Sequence, residues 1–134
     1  MSTDESAFVM REHVTGKGAS TTVVIELSGE IDIHASLALA PRTDQLIAGY
    51  PPEVVVDLRQ VTFLDGGGLR LLDRVQERAV ARGGRLRVVR GTARVMRVFR
   101  LACAERDFVF LDPDDLPVDS GQDGGRSPRA MGVT

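Results

Sequence analysis

The sequence predicts a single α/β domain that is built on a mixed, mostly parallel β-sheet with crossover helices. Short β-branched segments alternate with amphipathic segments, in the order β-β-α-β-α-β-α-β. The chain has 134 residues, which is enough for one hydrophobic core. Strands that are joined through helices run parallel with right-handed connections, and an N-terminal hairpin adds an antiparallel strand.

The first part of the chain contains the hairpin and a helix. Residues 7–14 and 21–33 are rich in strand-forming side chains and flank a turn with two glycines, so they predict the hairpin. Residues 34–50 have a helical pattern, with one apolar stripe and a second apolar row beside it. The stripe consists of Leu37, Ala40 and Ile47, and the second row of Leu39 and Leu46. Pro41 lies inside this segment, and it predicts a helix that is kinked or that starts near the proline.

The next strand reads "EVVVDL" over residues 53–58 and continues as "VTFL" over residues 61–64. Arg59 and Gln60 make a brief break between the two halves. A continuous apolar run of this length is typical of a strand that is covered on both faces.

The second half of the chain alternates two helices with two short strands. Residues 69–84 are the clearest helix, because apolar side chains line one face while Arg and Glu fill the other. Residues 85–90 form the next strand, residues 92–103 a second amphipathic helix, and residues 107–111 the last strand.

The ends of the chain are polar. Residues 1–6 are expected to be a flexible N-terminus, and the domain is expected to span residues 7–111. Residues 112–134 are rich in Gly, Pro, Asp and Ser, and they carry too little apolar surface to offset the entropy of ordering. We therefore predict a disordered C-terminal tail.

Composition excludes several classes of function. The net charge is −2, whereas a nucleic-acid-binding surface needs basic residues to neutralise phosphates. No signal peptide and no apolar run of membrane-spanning length is visible. The sequence thus predicts a soluble, cytoplasmic protein with neither a nucleic-acid nor a membrane partner.

Cysteine and histidine are too sparse to suggest a cofactor or a metal centre. Cys103 is the only cysteine, so neither an internal disulfide nor a cysteine-based metal cluster is possible. His13 and His34 stand alone, without the spacing of a metal-binding motif. We expect no bound metal and no cofactor.

Two loops leave the carboxyl ends of strands, "GEIDI" (residues 29–33) and "LDGGGL" (residues 64–69). If the two strands are neighbours, the carboxylates in these loops face one side. Ligands and partners usually meet an open α/β sheet at the carboxyl ends of its strands. Asp32 and Asp65 in these loops could work as general acid and base in a hydrolase, or chelate a hard cation. They could also cap the helices that follow, accepting backbone N–H bonds, and we favour capping for Asp65.

The triple glycine Gly66–Gly68 allows two readings. Bare N–H groups at a helix N-terminus attract anions, so the glycines could cradle a phosphate or nucleotide. However, the spacing of the known nucleotide-binding loops is absent. A tight turn between strand and helix is the simpler reading.

Three segments, "GEIDI", "VVVDLRQVTFLDGGGLRLL" and "ARGGRLRVVRGTARVMRVFRL", together resemble the STAS domain, the sulphate-transporter and anti-sigma-factor-antagonist domain. The chain is most similar to the free-standing bacterial antagonists, over about residues 8–111. The resemblance implies a partner-switching cycle, in which the antagonist binds an anti-sigma factor of the histidine-kinase-like ATPase type. That kinase inactivates the antagonist by phosphorylating one serine.

The resemblance also implies which residues carry the function. The family motif is an aspartate, two small residues of which the second is the phosphorylated serine, and a glycine; here it begins at Asp65. The acceptor position is therefore Gly67, which has no hydroxyl, and Thr62 within the preceding strand is the nearest hydroxyl. The residues expected to contact the partner are Glu30, Asp32, Asp65, Gly66, Gly67, Gly68 and Leu69.

The leading hypothesis is thus a non-enzymatic binding module that docks the anti-sigma factor without serine phosphorylation control. A sensor that binds a small anion or nucleotide at Gly66–Gly68 is the first alternative. A hydrolase-like enzyme that uses Asp32 and Asp65 is the second. Exposed strand edges make either a monomer or a weak homodimer possible.

Overall fold

The computed structural model describes residues 7–16, 18, 21–49 and 53–116, together with the backbone of residues 129–132. Within these residues the chain forms three α-helices and one six-stranded sheet. The elements are β1 (Phe8–Thr15), β2 (Thr22–Ile31), α1 (Ile33–Gly49), β3 (Glu53–Leu64), α2 (Gly66–Ala81), β4 (Arg85–Val89), α3 (Ala93–Leu101), β5 (Val109–Leu111) and β6 (Arg129–Gly132).

The strand order in the sheet is β5-β4-β3-β2-β1-β6. Strands β2 to β5 are parallel neighbours in chain order, while β1 is antiparallel to both β2 and β6. Because each right-handed connection steps to the next position in the same direction, α1, α2 and α3 lie on the same face of the sheet. The predicted fold class and element order are confirmed, and β6 is an addition to them.

The main core lies between the sheet and this helical layer. Phe99 of α3 is fully buried, and its ring meets those of Phe108 and Phe110 edge-on at centroid distances of 5.6 Å and 5.1 Å. A smaller cluster occupies the opposite face of the sheet. It consists of Val24, Val55 and Val89, against which Leu111 and Leu116 pack.

The break predicted within the third strand is a β-bulge, and β3 is continuous. Glu26 of β2 pairs with Asp57, but Ser28 pairs with Gln60, so one residue of β2 lies opposite two residues of β3. Asp57 is buried, and it accepts hydrogen bonds from the backbone N–H and the guanidinium of Arg59. The Asp57 side chain thus provides a hydrogen-bond acceptor for the N–H of Arg59 at the point where the strand pairing shifts register.

Helix α1 begins at Ile33 and continues past Pro41 without interruption. The alternative that the helix starts near the proline is therefore wrong. Pro41 has no N–H, so the carbonyl of Leu37 loses its usual hydrogen-bond partner. Both residues are exposed. Water can hydrogen-bond that carbonyl, which makes the proline tolerable.

The C-terminal tail differs from the prediction of disorder in two of its segments. Residues 113–115 form a 3-10 turn, and Leu116 then packs on the sheet. Strand β6 pairs with β1, Gly132 opposite Val9 and Arg129 opposite Glu12. The free edge of β1 supplies backbone hydrogen bonds that composition cannot reveal. Residues 1–6, 117–128 and 133–134 lie outside the described residues, so the predictions for them stay predictions.

An ion pair that joins α1 to α2 makes stability depend on pH. Arg74 donates to both carboxylate oxygens of Asp44, with a shortest distance of 2.7 Å. This hydrogen bond holds the pKa of Asp44 below its ordinary value. The stabilisation is therefore present above about pH 4, where Asp44 is ionised even in the unfolded chain, and is lost as the pH falls through the lowered pKa.

We expect Asp44→Asn to lower the free energy of unfolding by about 0.5 kcal/mol at neutral pH, and by less near pH 2. Urea denaturation at both pH values measures this. Asp73→Asn is a control of opposite sign, because burial and nearby acids raise the pKa of Asp73. Its removal should not destabilise the protein at neutral pH. An equal loss of stability in both variants would contradict a specific role of the Asp44–Arg74 ion pair.

Candidate functional site

The two loops singled out in the sequence meet at one end of the sheet. β2 and β3 are parallel neighbours, and Ile31 is paired with Leu64 at their last residues. Asp32 and Asp65 follow directly after these positions. The structure therefore brings both aspartates to the carboxyl end of the sheet, as predicted.

Each aspartate caps the helix that follows it. Oδ1 of Asp32 accepts from the backbone N–H of Ala35 at 3.0 Å. Oδ1 of Asp65 accepts from the N–H groups of Gly67 and Gly68 at 2.8 Å and 3.2 Å. Capping is therefore confirmed for both residues, and the negative charges face the positive ends of the helix dipoles.

The three glycines occupy the first turn of α2, because the cap at Asp65 starts that helix three residues before the predicted Leu69. A Cβ on Gly67 would lie 2.6 Å from Cα and 2.7 Å from N of Ile33. A Cβ on Gly68 would lie 2.4 Å from the carbonyl oxygen of Ile31. Gly66, in contrast, has open space around its missing side chain.

The glycines at 67 and 68 are thus a packing joint between the start of α1 and the start of α2. The backbones approach so closely that neither position can accept a side chain without a shift of main-chain atoms. Position 67 therefore lacks both a hydroxyl and the space for one. The prediction of a tight junction is supported, although the glycines lie within the helix.

Gly29 shapes the other half of the site. Its φ is +85°, and a Cβ there would lie 2.1 Å from the carbonyl oxygen of Ala7. The same oxygen accepts the N–H of Glu30 at 2.8 Å. The strand shifts register at this point, and Glu30 pairs with Phe63 on β3. Glu30 is exposed, two residues before Asp32 in the chain.

Leu69 does not reach the surface of the site. It was included among the predicted partner contacts, but only 8% of it is exposed, and it belongs to the main core. The early start of α2 places Leu69 one turn into the helix, on the side that faces the sheet. It can support the site only through packing.

Three exposed apolar residues flank the site, and the sequence analysis missed them. Ile33 is 45% exposed, Leu37 68% and Phe63 47%. Leu37 was placed on the same stripe of α1 as Ile47, but only Ile47 is buried, and Leu39 is buried where Leu37 is exposed. The available signal was the second apolar row on this helix, since one row is enough to bury it.

In the part of the chain that the structure describes, no group of three metal-ligating side chains occurs. No helix there combines the length and the apolar character that crossing a bilayer requires. Thr62, the nearest hydroxyl, lies within β3 as predicted, and it is exposed.

Comparisons with known proteins agree with this architecture. The family model described as "Mlab, STAS domain" matches residues 15–111. An anti-sigma factor antagonist from Mycobacterium paratuberculosis has 28% identity and a TM-score of 0.63, over 78% of this chain and 87% of that chain. No curated protein matches the sequence significantly.

Two further solved structures share the fold. The phosphorylated form of the Bacillus cell fate determinant SpoIIAA has 21% identity and a TM-score of 0.58, over 78% of this chain and 92% of that chain. The unphosphorylated form of the anti-sigma factor antagonist SpoIIAA has 21% identity and a TM-score of 0.63, over 78% and 89%.

Proposed function

The chain belongs to the STAS domain family, and on this premise we propose that it is an antagonist-like binding module that docks an anti-sigma factor. The proposed partner is of the histidine-kinase-like ATPase type. The docking surface is the carboxyl end of β2 and β3, with Glu30, Asp32, Asp65 and the first turn of α2. Serine phosphorylation does not control this module, and it catalyses no reaction.

One observation carries the absence of phosphorylation control. Position 67, which the family motif assigns to the phosphorylated serine, is a glycine, and a side chain there would run into the backbone of Ile33. A phosphoryl group would add about −1.5 to −2 charges beside Asp65 and repel a docked partner. The site has no atom at this position to carry such a charge, so the surface keeps its docking-competent chemistry.

The alternatives are less well supported by the contacts. A phosphate cradle needs free N–H groups, but the N–H groups of Gly67 and Gly68 already donate to Asp65. The chain's own carboxylate therefore occupies the place of an anion. A hydrolase would need Asp32 and Asp65 for acid–base work, yet each holds a helix start.

The proposed setting of the module is the bacterial cytoplasm, where sigma factors act. We propose a monomer or a weak homodimer that has neither a nucleic acid nor a membrane as a partner. The net charge of −2 supports the first of these exclusions.

The test uses the purified chain and the anti-sigma factor ATPases that its genome encodes. Calorimetry should detect binding for one of them. Asp32→Asn and Asp65→Asn keep the helix caps, because asparagine caps as well as aspartate, but remove the charges. We expect each to weaken binding about fivefold. Glu105→Gln, at the opposite end of the sheet, is the matched control and should bind normally.

The same mixture tests phosphorylation control. With radiolabelled ATP and the bound ATPase, the chain should incorporate no label. Incorporation would contradict the proposal, and loss of that label in Thr62→Val would show that control has moved to the exposed threonine. Failure of every such ATPase to bind would overturn the docking function.

A further inference from the structure

Large apolar side chains are exposed at six positions among the described residues, and three of these positions lie close in the chain to Asp32 or Asp65. Ile33 directly follows Asp32, Leu37 lies one turn further along α1, and Phe63 lies two residues before Asp65. We call these three residues the apolar anchor. The others are dispersed, at the end of α2, at the end of α3 and in β5. They are Val80, Leu101 and Val109.

We propose that the apolar anchor supplies most of the docking energy, and that it fits an amphipathic helix whose apolar stripe is flanked by lysines or arginines. This inference rests on the proposed function, because it names the chemistry of the partner at that same surface. Burial of large apolar side chains at the centre of an interface commonly carries most of its affinity.

The position of the anchor favours a helical occupant. Ile33 and Leu37 are four residues apart on α1, so they form a continuous ridge on one side of the helix. A ridge with this spacing packs into the groove of another helix. Amphipathic helices that lay their apolar face on such surfaces are a recurring mode of recognition.

The packing joint at Gly67 and Gly68 fixes the position of Ile33 within the anchor. The backbone of Ile33 lies directly against Gly67, and both neighbouring helix starts are capped by aspartates. An anchor that is already ordered loses little conformational entropy when a partner binds. With a larger residue at 67, the start of α1 would have to move, and Ile33 would move with it.

The charges around the anchor determine which charged residues a partner should carry beside its apolar stripe. Three carboxylates lie here, those of Glu30, Asp32 and Asp65. The exposed basic side chain of Arg70 offsets part of their charge. The two aspartates are partly balanced by the helix ends that they cap. Glu30 is exposed and lies within β2, so its charge is not offset by a helix end. Lysine or arginine beside the partner's apolar stripe would complement this acidic excess.

The experiment compares two substitutions that differ only in place. Leu37→Ala removes part of the anchor, while Leu101→Ala removes a leucine of similar exposure on α3, 73% against 68%. Both chains are measured against the anti-sigma factor that binds the wild type. Fluorescence anisotropy also measures them against a synthetic helical peptide with a leucine stripe flanked by lysines.

We expect Leu37→Ala to weaken both interactions at least fivefold and Leu101→Ala to leave both unchanged. A peptide in which glutamates replace the lysines should bind more weakly than the lysine peptide. Equal effects of the two leucine substitutions, or equal binding of the two peptides, would overturn the inference. If the lysine peptide depends on Leu37 but no anti-sigma factor binds, the proposed function fails while the anchor stands. If neither probe binds the wild type, both fail.

Discussion

Gly67→Ala is expected to destabilise the protein by about 2 kcal/mol, although alanine is the better helix former. Its Cβ would lie 2.6 Å from Cα of Ile33, and a backbone atom cannot rotate away as a side-chain end can. Overpacking of this kind costs about 1 to 3 kcal/mol or more, against a gain of at most about 1 kcal/mol in helix propensity. Chemical denaturation measures the difference.

Gly66→Ala is the matched control for this change, in the same turn of α2. Its Cβ would meet open space, so only the gain in helix propensity remains, and we expect a stabilisation of about 0.5 kcal/mol. Opposite signs at adjacent positions would establish the packing joint. A Gly67→Ala variant as stable as Gly66→Ala would show that α1 yields easily. Gly67→Ser should carry the same cost, so a restored hydroxyl would disturb the surface that it was meant to control.

Gly29→Ala is expected to be the most damaging single methyl addition near the site, with a loss of about 3 kcal/mol. A left-handed backbone conformation costs an ordinary residue about 1 to 2 kcal/mol. In addition, the new Cβ would overlap the carbonyl oxygen of Ala7, which accepts the N–H of Glu30. Thermal and urea denaturation should both show the loss.

Gly83→Ala separates the two causes. Gly83 has a similar φ of +86°, but its missing side chain faces open space. We therefore expect about 1 to 2 kcal/mol there, from backbone strain alone. If Gly29→Ala costs no more than Gly83→Ala, the close approach of Ala7 does not contribute. The difference between the two losses of stability measures the cost of crowding the Ala7 carbonyl, which accepts the N–H of Glu30.

Local patterns were sufficient to predict the elements. Strand-forming runs and helical stripes gave the order that the structure shows, because the period of apolar residues depends on neighbours in the chain. The bulge in β3 was visible as two polar residues, Arg59 and Gln60, within an apolar run. The cap at Asp65 was predictable, since a helix plainly followed.

Long-range contacts decided what the patterns could not. Leu37 and Leu39 are equally apolar, but only the orientation of α1 on the sheet determines that Leu37 faces solvent. Strand β6 needs the free edge of β1, which lies more than a hundred residues away in the chain. Leu69 moved from the predicted surface to the core because a side-chain cap shifted the start of α2.

The sequence by itself determined the fold class, the family and the absence of a hydroxyl at position 67, since each of these depends only on the order of residue types. Only the tertiary structure shows why position 67 must be a glycine. The reason is steric: the first turn of α1 rests on the first turn of α2 at Gly67. Ile33 and Gly67 are separated in the chain by the rest of α1 and by β3, so no local sequence pattern could reveal that their backbones are in contact.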